Sequence, residues 1–320
     1  MSDSVETRHF YPNLQRNETQ TASGSNVVSY ISNKGDDSPI MMLIHGYPQS
    51  AYEWRYVVPS VLDHVSLFIP ELPGYGISSP SKDNTRIGIV GVLIEAMSEV
   101  FNLSKDSPRK VIAVGHDRGA RIVHRLAVSR TNFPAVALTG AAMLDIVPTK
   151  AQWDAFQDPA INAGYFHWPF LANVDYAVQV ISKYGGGQWA KDMHKRITGG
   201  DADLERVAAD DALDVYAACF DKEETLRYTC EDYAYGAGPE YQHQSADQKA
   251  GRKVDVPALI MWAKAKLGSR MDVAKIWEDW IAAGTDYQAI GVGDSHGHFL
   301  PEEAPKEVTE AITTFVKRLA

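Results

Sequence analysis

Short apolar segments alternate with stretches of helical periodicity over the first half of the chain and again near its end. The apolar runs have strand length and are rich in Val and Ile, which is typical of βαβ units around a mostly parallel sheet. The predicted strands cover residues 27–31, 40–44, 65–69, 111–114, 136–144, 258–262 and 287–290. We therefore expect an α/β fold with helices on both faces of the central sheet.

A different pattern occupies the stretch from Thr149 to about Arg252. This stretch is aromatic and helical, contains almost no strand-like run and is broken by glycine-rich turns. It ends before Pro257, which holds the preceding residue extended and leads into the strand at 258–262. We therefore predict a core formed by residues 1–148 and 253–320, and a helical cap formed by residues 149–252.

Composition and charge narrow the possible functions. The 320 residues are 45% hydrophobic and 22% charged, which suits a globular protein with a sizeable core. With 31 basic and 41 acidic residues the net charge is −10, which repels nucleic acid and acidic membrane surfaces. The N-terminal residues lack the basic and apolar character of a signal peptide. We expect a cytoplasmic protein with no nucleic-acid or membrane partner, whose anionic ligands need a local basic site.

Cys219 and Cys230 are too few for a disulfide framework and fit no metal-ligand spacing, so we expect two reduced thiols. The sequence also shows no His/Cys cluster and no phosphate-binding glycine loop. We therefore expect no metal and no organic cofactor.

Candidate chemistry is concentrated where the strand at 111–114 meets the next helix. Gly115-His-Asp117-Arg-Gly119 has the spacing of a nucleophile elbow, in which glycines permit a tight turn that lifts one side chain above the sheet. Here that side chain is the Asp117 carboxylate. An Asp at this position could equally cap the following helix. The motif alone leaves both interpretations open.

Other polar residues follow neighbouring strands. His45-Gly-Tyr47-Pro comes directly after the strand at 40–44, where hydrolases of this layout place a backbone N–H of the oxyanion hole. Asp145 ends the strand at 136–144, and His298 lies near the C-terminus. Each alone is commonly a turn or surface residue. Because open α/β sheets place their sites at the carboxyl ends of strands, we expect these residues to converge with Asp117.

Two arginines follow Asp117 on one face of the predicted helix. Arg118 and Arg121 are three residues apart and lie in or near the first turn, where the helix dipole disfavours a cation. The carboxylate of a substrate would supply the missing anion. The alternative is an ion pair with an acidic residue of the cap. Arg125, further along the helix, is predicted to be a solvated surface residue.

Taken together, these motifs resemble the fluoroacetate dehalogenases of the α/β-hydrolase superfamily, from about residue 25 to the C-terminus. The segments that carry the resemblance are His45-Gly-Tyr-Pro, Pro70-Glu-Leu-Pro-Gly-Tyr-Gly76, Gly115-His-Asp-Arg-Gly-Ala-Arg121, Leu144-Asp-Ile-Val-Pro-Thr149, Tyr165-Phe-His-Trp168, Cys230-Glu-Asp-Tyr233 and Gly297-His-Phe-Leu-Pro-Glu-Glu-Ala-Pro305. The resemblance implies an α/β-hydrolase fold and hydrolytic cleavage of carbon–halogen bonds in small 2-halo carboxylic acids.

The resemblance also implies catalytic roles. Asp117 would displace the halide and form an ester with the substrate, and His298 would activate the water that hydrolyses this ester. Asp145 would orient the His298 imidazole. His296 is a rival base, but the histidine of the family immediately precedes Phe-Leu-Pro, which favours His298.

Binding roles follow from the same resemblance. The substrate carboxylate would contact Arg118 and Arg121, and the backbone N–H groups of Tyr47 and Arg118 would form the oxyanion hole. A small anionic acid is then the expected partner, and a homodimer is considered as well. The halide would be bound by three directional donors of the cap, namely His167, Trp168 and Tyr233.

Some positions depart from the family pattern. The segment between Asp117 and Asp145 is a few residues longer than expected, Pro169 replaces an aromatic residue, and the stretch after Tyr233 differs. These departures leave the nucleophile chemistry intact, but they leave the size and identity of the substrate open.

Three other functions compete with dehalogenation of 2-halo acids. An epoxide hydrolase shares the nucleophile and the cap but needs two cap tyrosines and typically has Trp where this chain has Arg118. A haloalkane dehalogenase would have Asn in place of Tyr47. A non-catalytic ligand receptor would not need an intact set of Asp117, Asp145 and His298. The candidate tyrosines for the epoxide reaction are Tyr165, Tyr176, Tyr216, Tyr233 and Tyr235.

Overall fold

The computed structural model describes residues 4–319, and its centre is an eight-stranded sheet. The strands are β1 (Gln15–Gln20), β2 (Asn26–Ser32), β3 (Ile40–Ile44), β4 (Ser66–Pro70), β5 (Arg109–His116), β6 (Val136–Leu144), β7 (Ala258–Ala263) and β8 (Tyr287–Val292). Their spatial order is β1-β2-β4-β3-β5-β6-β7-β8. β2 pairs antiparallel with β1 and β4, and all other pairs are parallel. The predicted mostly parallel α/β sheet is confirmed.

Sequence patterning predicts seven of these strands and misses β1. This strand has the polar sequence Gln-Arg-Asn-Glu-Thr-Gln, and only Thr19 among its residues is buried. β1 lies at the edge of the sheet, where it pairs with one neighbour and is open to water on the other side. An edge strand of this kind need not show the alternation of apolar and polar residues by which strands are detected.

Fifteen α-helices surround the sheet in the described part of the chain. They are α1 (Val58–Val61), α2 (Arg86–Phe101), α3 (Arg118–Ser129), α4 (Thr149–Ala155), α5 (Pro159–Gly164), α6 (His167–Ala172), α7 (Val174–Tyr184), α8 (Gly186–Ile197), α9 (Asp201–Ala208), α10 (Ala212–Phe220), α11 (Glu223–Tyr235), α12 (Tyr241–Lys249), α13 (Val273–Glu278), α14 (Leu300–Glu303) and α15 (Pro305–Leu319).

The central strand β3 shows how the two faces of the sheet are covered. All five of its residues are buried, as expected for a parallel strand with helices on both sides. Met42 and its alternate neighbours belong to a cluster with residues of α2 and α3, such as Leu93 and Val123. Met41 and Leu43 belong to a second cluster, with Phe315 of α15. Alternate side chains of β3 therefore pack into two hydrophobic layers, one on each face of the sheet.

The helices α4 to α12 all fall between β6 and β7, in the segment for which we predict the cap. α11 packs against α6 and α7, and it carries Tyr233 and Cys230. Cys219 and Cys230 are free and buried. The division into core and cap stays a prediction, and residues 1–3 and 320 of that division lie outside the described residues. Within residues 4–319, no helix is long and apolar enough to cross a membrane.

Candidate active site

Asp117 occupies a sharp turn between β5 and α3. Its backbone has φ 45° and ψ −110°, a strained conformation for a residue with a side chain. The turn brings α3 close to β3, since a Cβ atom on Gly119 would lie 2.1 Å from the carbonyl oxygen of Ile44. The Asp117 side chain forms no capping hydrogen bond to α3 within the described structure, and it lines a cavity instead. The geometry is that of a nucleophile elbow, and helix capping does not explain this residue.

Hydrogen bonds and nearby cations hold the Asp117 carboxylate ionised. The backbone N–H of Tyr47 donates to Asp117 Oδ2 at 3.0 Å, and His298 Nε2 lies 3.7 Å from Oδ1. Burial opposes ionisation, but electrostatic interactions with His298, Arg118 and Arg121 outweigh it and lower the pKa of Asp117 to about 2. The carboxylate is therefore an available nucleophile at neutral pH.

Asp145 and His298 form a hydrogen-bonded pair beside Asp117. His298 Nδ1 lies 2.6 Å from Asp145 Oδ2, while the backbone N–H of Ala263 donates to Asp145 Oδ1 at 2.8 Å. The second contact fixes the carboxylate, because both of its oxygens are engaged. His298 therefore directs Nε2 towards Asp117, which is the arrangement of a base oriented by an acid. His296 does not line the cavity, and its Nδ1 lies 3.0 Å from Asp203 Oδ2.

A cavity of about 140 Å³ lies above Asp117, between the sheet and the predicted cap. His167, Trp168 and Tyr233 line it together, and the Tyr233 ring lies 6.0 Å from the His167 ring and 5.5 Å from the Trp168 ring. Burial lowers the pKa of His167 to about 3 and raises the pKa of Tyr233 well above 10. Both side chains are thus neutral and able to donate a hydrogen bond at neutral pH. The structure brings the three predicted halide donors together.

The two predicted carboxylate-binding arginines lie in different environments. Arg121 lines the cavity, and its Nη1 donates to the carbonyl oxygen of Val147 at 3.0 Å and to Thr149 Oγ1 at 3.2 Å. Its Nε has no hydrogen-bond partner among residues 4–319. Burial, followed by the charge of Arg118, lowers the pKa of Arg121 to about 10. An anionic ligand in the cavity would stabilise this buried cation.

Arg118 does not line the cavity. Its Nε donates to Asp232 Oδ2 at 2.5 Å and its Nη2 donates to the Asp232 carbonyl oxygen at 2.9 Å. Arg86 contacts the other Asp232 oxygen, so one carboxylate of α11 serves two buried guanidinium groups. The alternative that the sequence leaves open, an ion pair with the predicted cap, is therefore present, while Arg118 Nη1 has no hydrogen-bond partner among residues 4–319. The carboxylate-binding role of the Arg118 side chain stays a prediction. The predicted role of the Arg118 backbone N–H in the oxyanion hole does not depend on the side chain and also stays a prediction.

Arg125 also differs from its prediction as a solvated residue. It is buried, and its guanidinium pairs with Glu240 at 2.9 Å and with Asp247 at 2.8 Å. Asp247 belongs to α12, and Glu240 immediately precedes this helix, so the segment between β6 and β7 covers this part of α3. The prediction was wrong because helix periodicity does not show which distant acidic residues fold over a helix face.

Two residues of the site had no role in the sequence-based prediction. Asp232 precedes Tyr233 and is the counterion of Arg118. Its position in the sequence, next to a predicted halide donor, does not indicate which cation it pairs with. His116 precedes Asp117, and its Nε2 lies 2.8 Å from the carbonyl oxygen of His298. Its Nδ1 lies 3.3 Å from Glu53 Oε2, and despite burial this carboxylate raises the pKa of His116 to about 9. The buried His116 imidazolium therefore lies between Asp117 and the loop that carries His298.

Asp203, His296 and Glu303 offer ligand atoms within 4.8 Å of one another, as a metal site would require. Their atoms are already engaged, because Arg206 and His296 contact Asp203, and Glu303 accepts hydrogen bonds from backbone N–H groups of Gly199, Gly297 and Phe299. The cluster is explained as a hydrogen-bond network that ties the His298 loop to the chain around Gly199.

Comparison with known proteins identifies the fold family and shows similarity to enzymes of two different activities. A family model described as alpha/beta hydrolase fold matches residues 39–295. A fluoroacetate dehalogenase from Burkholderia sp. is 25% identical over 88% of this chain and 88% of its own length. A soluble epoxide hydrolase from Corynebacterium sp. is 26% identical over 86% of this chain and 89% of its own. A solved structure of a candidate alpha/beta hydrolase from Nostoc sp. PCC 7120 superposes with a TM-score of 0.82, 26% identity and coverage of 96% and 99% of the two chains.

Proposed function

From the membership of this chain in the alpha/beta hydrolase fold family, and from its likeness to a fluoroacetate dehalogenase and an epoxide hydrolase, which are both hydrolases, we propose that it is a hydrolase that removes halide from small 2-halo carboxylic acids. The observation that carries the proposal is that Asp117 and Arg121 line one cavity with three hydrogen-bond donors. One small substrate could then contact all of these groups at once: the nucleophile, the group that would bind an acid, and the groups that would accept a halide. The 25% identical fluoroacetate dehalogenase supports the same chemistry.

The first step is displacement at the carbon that bears the halogen. Asp117 Oδ2 is held by the Tyr47 N–H, which leaves Oδ1 free to attack. A bond forms between Oδ1 and carbon while the carbon–halogen bond breaks, and the halide departs with the bonding electron pair. Arg121 would hold the substrate carboxylate during this attack by charge-assisted hydrogen bonds. The product of the step is an ester between Asp117 and the acid.

The second step is hydrolysis of this ester. His298 Nε2 would take a proton from a water molecule, whose oxygen attacks the ester carbonyl carbon, and Asp145 would stabilise the resulting imidazolium. The negative charge on the carbonyl oxygen would fall on the N–H groups of Tyr47 and Arg118. The Arg118 N–H is available because the first N–H groups of a helix have no intrahelical partner. The bond between the Asp117 carboxyl carbon and the substrate oxygen then breaks, and the His298 imidazolium gives its proton to that oxygen. A 2-hydroxy acid is released, and the Asp117 carboxylate is restored when the second proton of the water is lost to solvent.

The leaving halide would be accepted by His167, Trp168 and Tyr233. Fluoride is small and strongly hydrated in water, so its departure needs several donors that replace the lost water. The Trp168 indole, the Tyr233 hydroxyl and the neutral His167 imidazole each supply one directional donor.

Epoxide hydrolysis is the second candidate, and one observation favours it. Of the five candidate tyrosines, Tyr165 and Tyr233 line the cavity with Asp117. Burial raises the pKa of Tyr165 to about 12, so both hydroxyls stay protonated and could donate to an epoxide oxygen as the ring opens. The 26% identical soluble epoxide hydrolase supports this alternative. Against it stands Arg121, since a neutral epoxide offers no anion to a buried guanidinium.

A paired substrate screen tests the proposal. Fluoroacetate, chloroacetate and 2-chloropropionate would be assayed for halide release, and a panel of small epoxides would be assayed for diol formation. We expect halide release, and we expect Asp117→Asn to abolish it, while Asp294→Asn on the exposed surface keeps it. Intact-mass measurement would exclude reversion of the new Asn to Asp. Diol formation without halide release would replace the proposal by the epoxide reaction, and halide release by the Asp117→Asn protein would refute the nucleophile.

We also propose that the enzyme is cytoplasmic and acts on a small anionic substrate. In this proposal, residues 149–252 form a cap over a core of residues 1–148 and 253–320. The net charge of −10 and the two free buried cysteines support this setting. A homodimer is proposed as well, and light scattering after size exclusion would measure the mass of the assembly.

A further inference from the structure

A second group of cations lies on the wall of the catalytic cavity. Arg196, near the end of α8, and Lys266 and Arg270, in the loop after β7, line the same cavity as Asp117 and Arg121. Arg196 belongs to the predicted cap, and Lys266 and Arg270 belong to the predicted core. The proposed chemistry at Asp117 does not use any of the three.

The two arginines converge on Gly164. Arg196 Nη2 donates to the Gly164 carbonyl oxygen at 3.0 Å, and a Cβ atom on Gly164 would lie 3.0 Å from Arg270 Cζ. The Arg270 guanidinium also lies over the ring of Tyr165, at 4.9 Å from its centroid. A residue larger than glycine at position 164 would force Arg270 to move. The structure therefore holds two guanidinium groups near one point on the cavity wall.

Within residues 4–319 these three cations form no salt bridge, whereas two neighbouring lysines do; Arg196 and Arg270 are exposed, and Lys266 is half-buried. Lys195 pairs with Asp192, and Lys264 pairs with Asp294. No carboxylate of residues 4–319 lies within 4.0 Å of a side-chain nitrogen of Arg196, Lys266 or Arg270. Partial burial and the charge of Arg270 both lower the pKa of Arg196, so the two guanidinium groups repel each other. In a chain with ten more acidic than basic residues, this is an unbalanced positive site.

We infer that Arg196, Lys266 and Arg270 bind a second carboxylate of the substrate, so that the preferred substrates are 2-halo dicarboxylic acids. The inference rests on the proposed function. The carboxylate next to the reacting carbon would bind Arg121, and the distal carboxylate would point outwards to the three cations. Guanidinium groups suit this role because their planar N–H pairs match the two oxygens of a carboxylate. Asp117 lines the same cavity as both binding points and would attack the carbon that bears the halogen.

Two matched substrates test the inference. 2-Chlorosuccinate and 2-chlorobutanoate differ in the distal group, which is a carboxylate in the first and a methyl in the second. We expect a lower KM for chlorosuccinate. Arg270→Gln should raise that KM about tenfold, the usual size of a lost charge-assisted contact, and should raise the KM for chlorobutanoate by less than about threefold. Arg196→Gln should show the same pattern.

Lys264→Gln is the matched control. It removes one positive charge from the same loop, but Lys264 does not line the cavity and pairs with Asp294. It should leave the ratio of the two KM values as in the wild type. An equal rise of both KM values in Arg270→Gln, or the same change in Lys264→Gln, would show a long-range attraction for all anions and overturn the inference.

Binding of unreactive acids separates this inference from the proposed function. Calorimetric titration with succinate and with butyrate needs no bond cleavage. Tighter binding of succinate that is lost in Arg270→Gln supports the second carboxylate site even if no substrate releases halide. Succinate binding no tighter than that of butyrate overturns the inference, even if chloroacetate is dehalogenated.

Discussion

At the level of single residues, the separation of attack from hydrolysis in the proposed reaction would depend on His298. Its Nε2 lies 3.7 Å from Asp117 Oδ1, close enough for one water molecule to be activated beside the future ester. His298→Asn removes the base but leaves Asp117 and its contact with the Tyr47 N–H. We expect one equivalent of halide from chloroacetate, followed by arrest. Intact-mass spectrometry should show the protein heavier by one carboxymethyl group, and a protein of unchanged mass after the burst would contradict the ester.

In the proposed reaction, Trp168 would donate a hydrogen bond to the departing fluoride. Its ring packs 4.5 Å from the Arg121 guanidinium, so Trp168→Phe keeps an aromatic face there and removes the indole N–H together with part of the ring. We expect the kcat for fluoroacetate to fall about tenfold or more and that for chloroacetate by less than about threefold, since fluoride depends more on each donor. Trp153→Phe is the control, because Trp153 packs edge-to-face against Trp168 without lining the cavity. Equal losses with both acids would remove Trp168 from the halide site.

Much of this residue-level arrangement could be predicted, and one part could not. Asp117, Asp145 and His298 follow strand ends, and parallel strands bring their carboxyl ends to one edge of the sheet. Spacing along one helix also puts Arg118 and Arg121 on one face. Spacing cannot tell which of the two meets an acid from far along the chain, and Asp232 lies 114 residues after Arg118. Long-range pairing of buried charges is set by tertiary packing.

At the level of elements, the loop that carries His298 is held by the helix that follows it. Glu303 of α14 accepts three backbone N–H groups: Phe299 on one oxygen, and Gly199 and Gly297 on the other. Glu303→Gln would replace one of these oxygens by an NH₂ group that faces N–H donors. We expect a loss of about 2 kcal/mol in the free energy of unfolding and a lower kcat, since His298 lies between the bonded residues.

Urea denaturation and steady-state kinetics of the same preparation would measure both effects. Glu307→Gln, on the exposed part of α15, removes the same charge without touching the loop and should change neither quantity appreciably. A Glu303→Gln protein with wild-type stability and wild-type kcat would show that the loop keeps its position without this carboxylate. Sequence patterning predicts the strand before this loop, but the hydrogen bonds of Glu303 are side-chain contacts that leave no periodic signal.

At the level of the whole molecule, the His116–Glu53 pair couples folding to pH. Burial lowers the pKa of His116, but the nearby Glu53 charge outweighs it and raises the pKa from 6.5 to about 9. Because the folded state holds this proton more tightly than the unfolded state, the stabilisation is complete below about pH 6.5. It is lost as pH rises to about 9. At 1.36 kcal/mol per pH unit, the loss is about 3 kcal/mol.

Urea unfolding at pH 6, 7.5 and 9.5 would measure this loss in the wild type and in His116→Gln. The variant should be less stable at pH 6, where the imidazolium contributes most, and the two proteins should approach each other in stability at pH 9.5. Glu53→Gln should flatten the same pH range, because it removes the charge that raises the pKa. A constant difference between wild type and His116→Gln at all three pH values would mean that His116 is neutral in the folded protein. The Asp117 carboxylate would then be stabilised without a buried imidazolium beneath it.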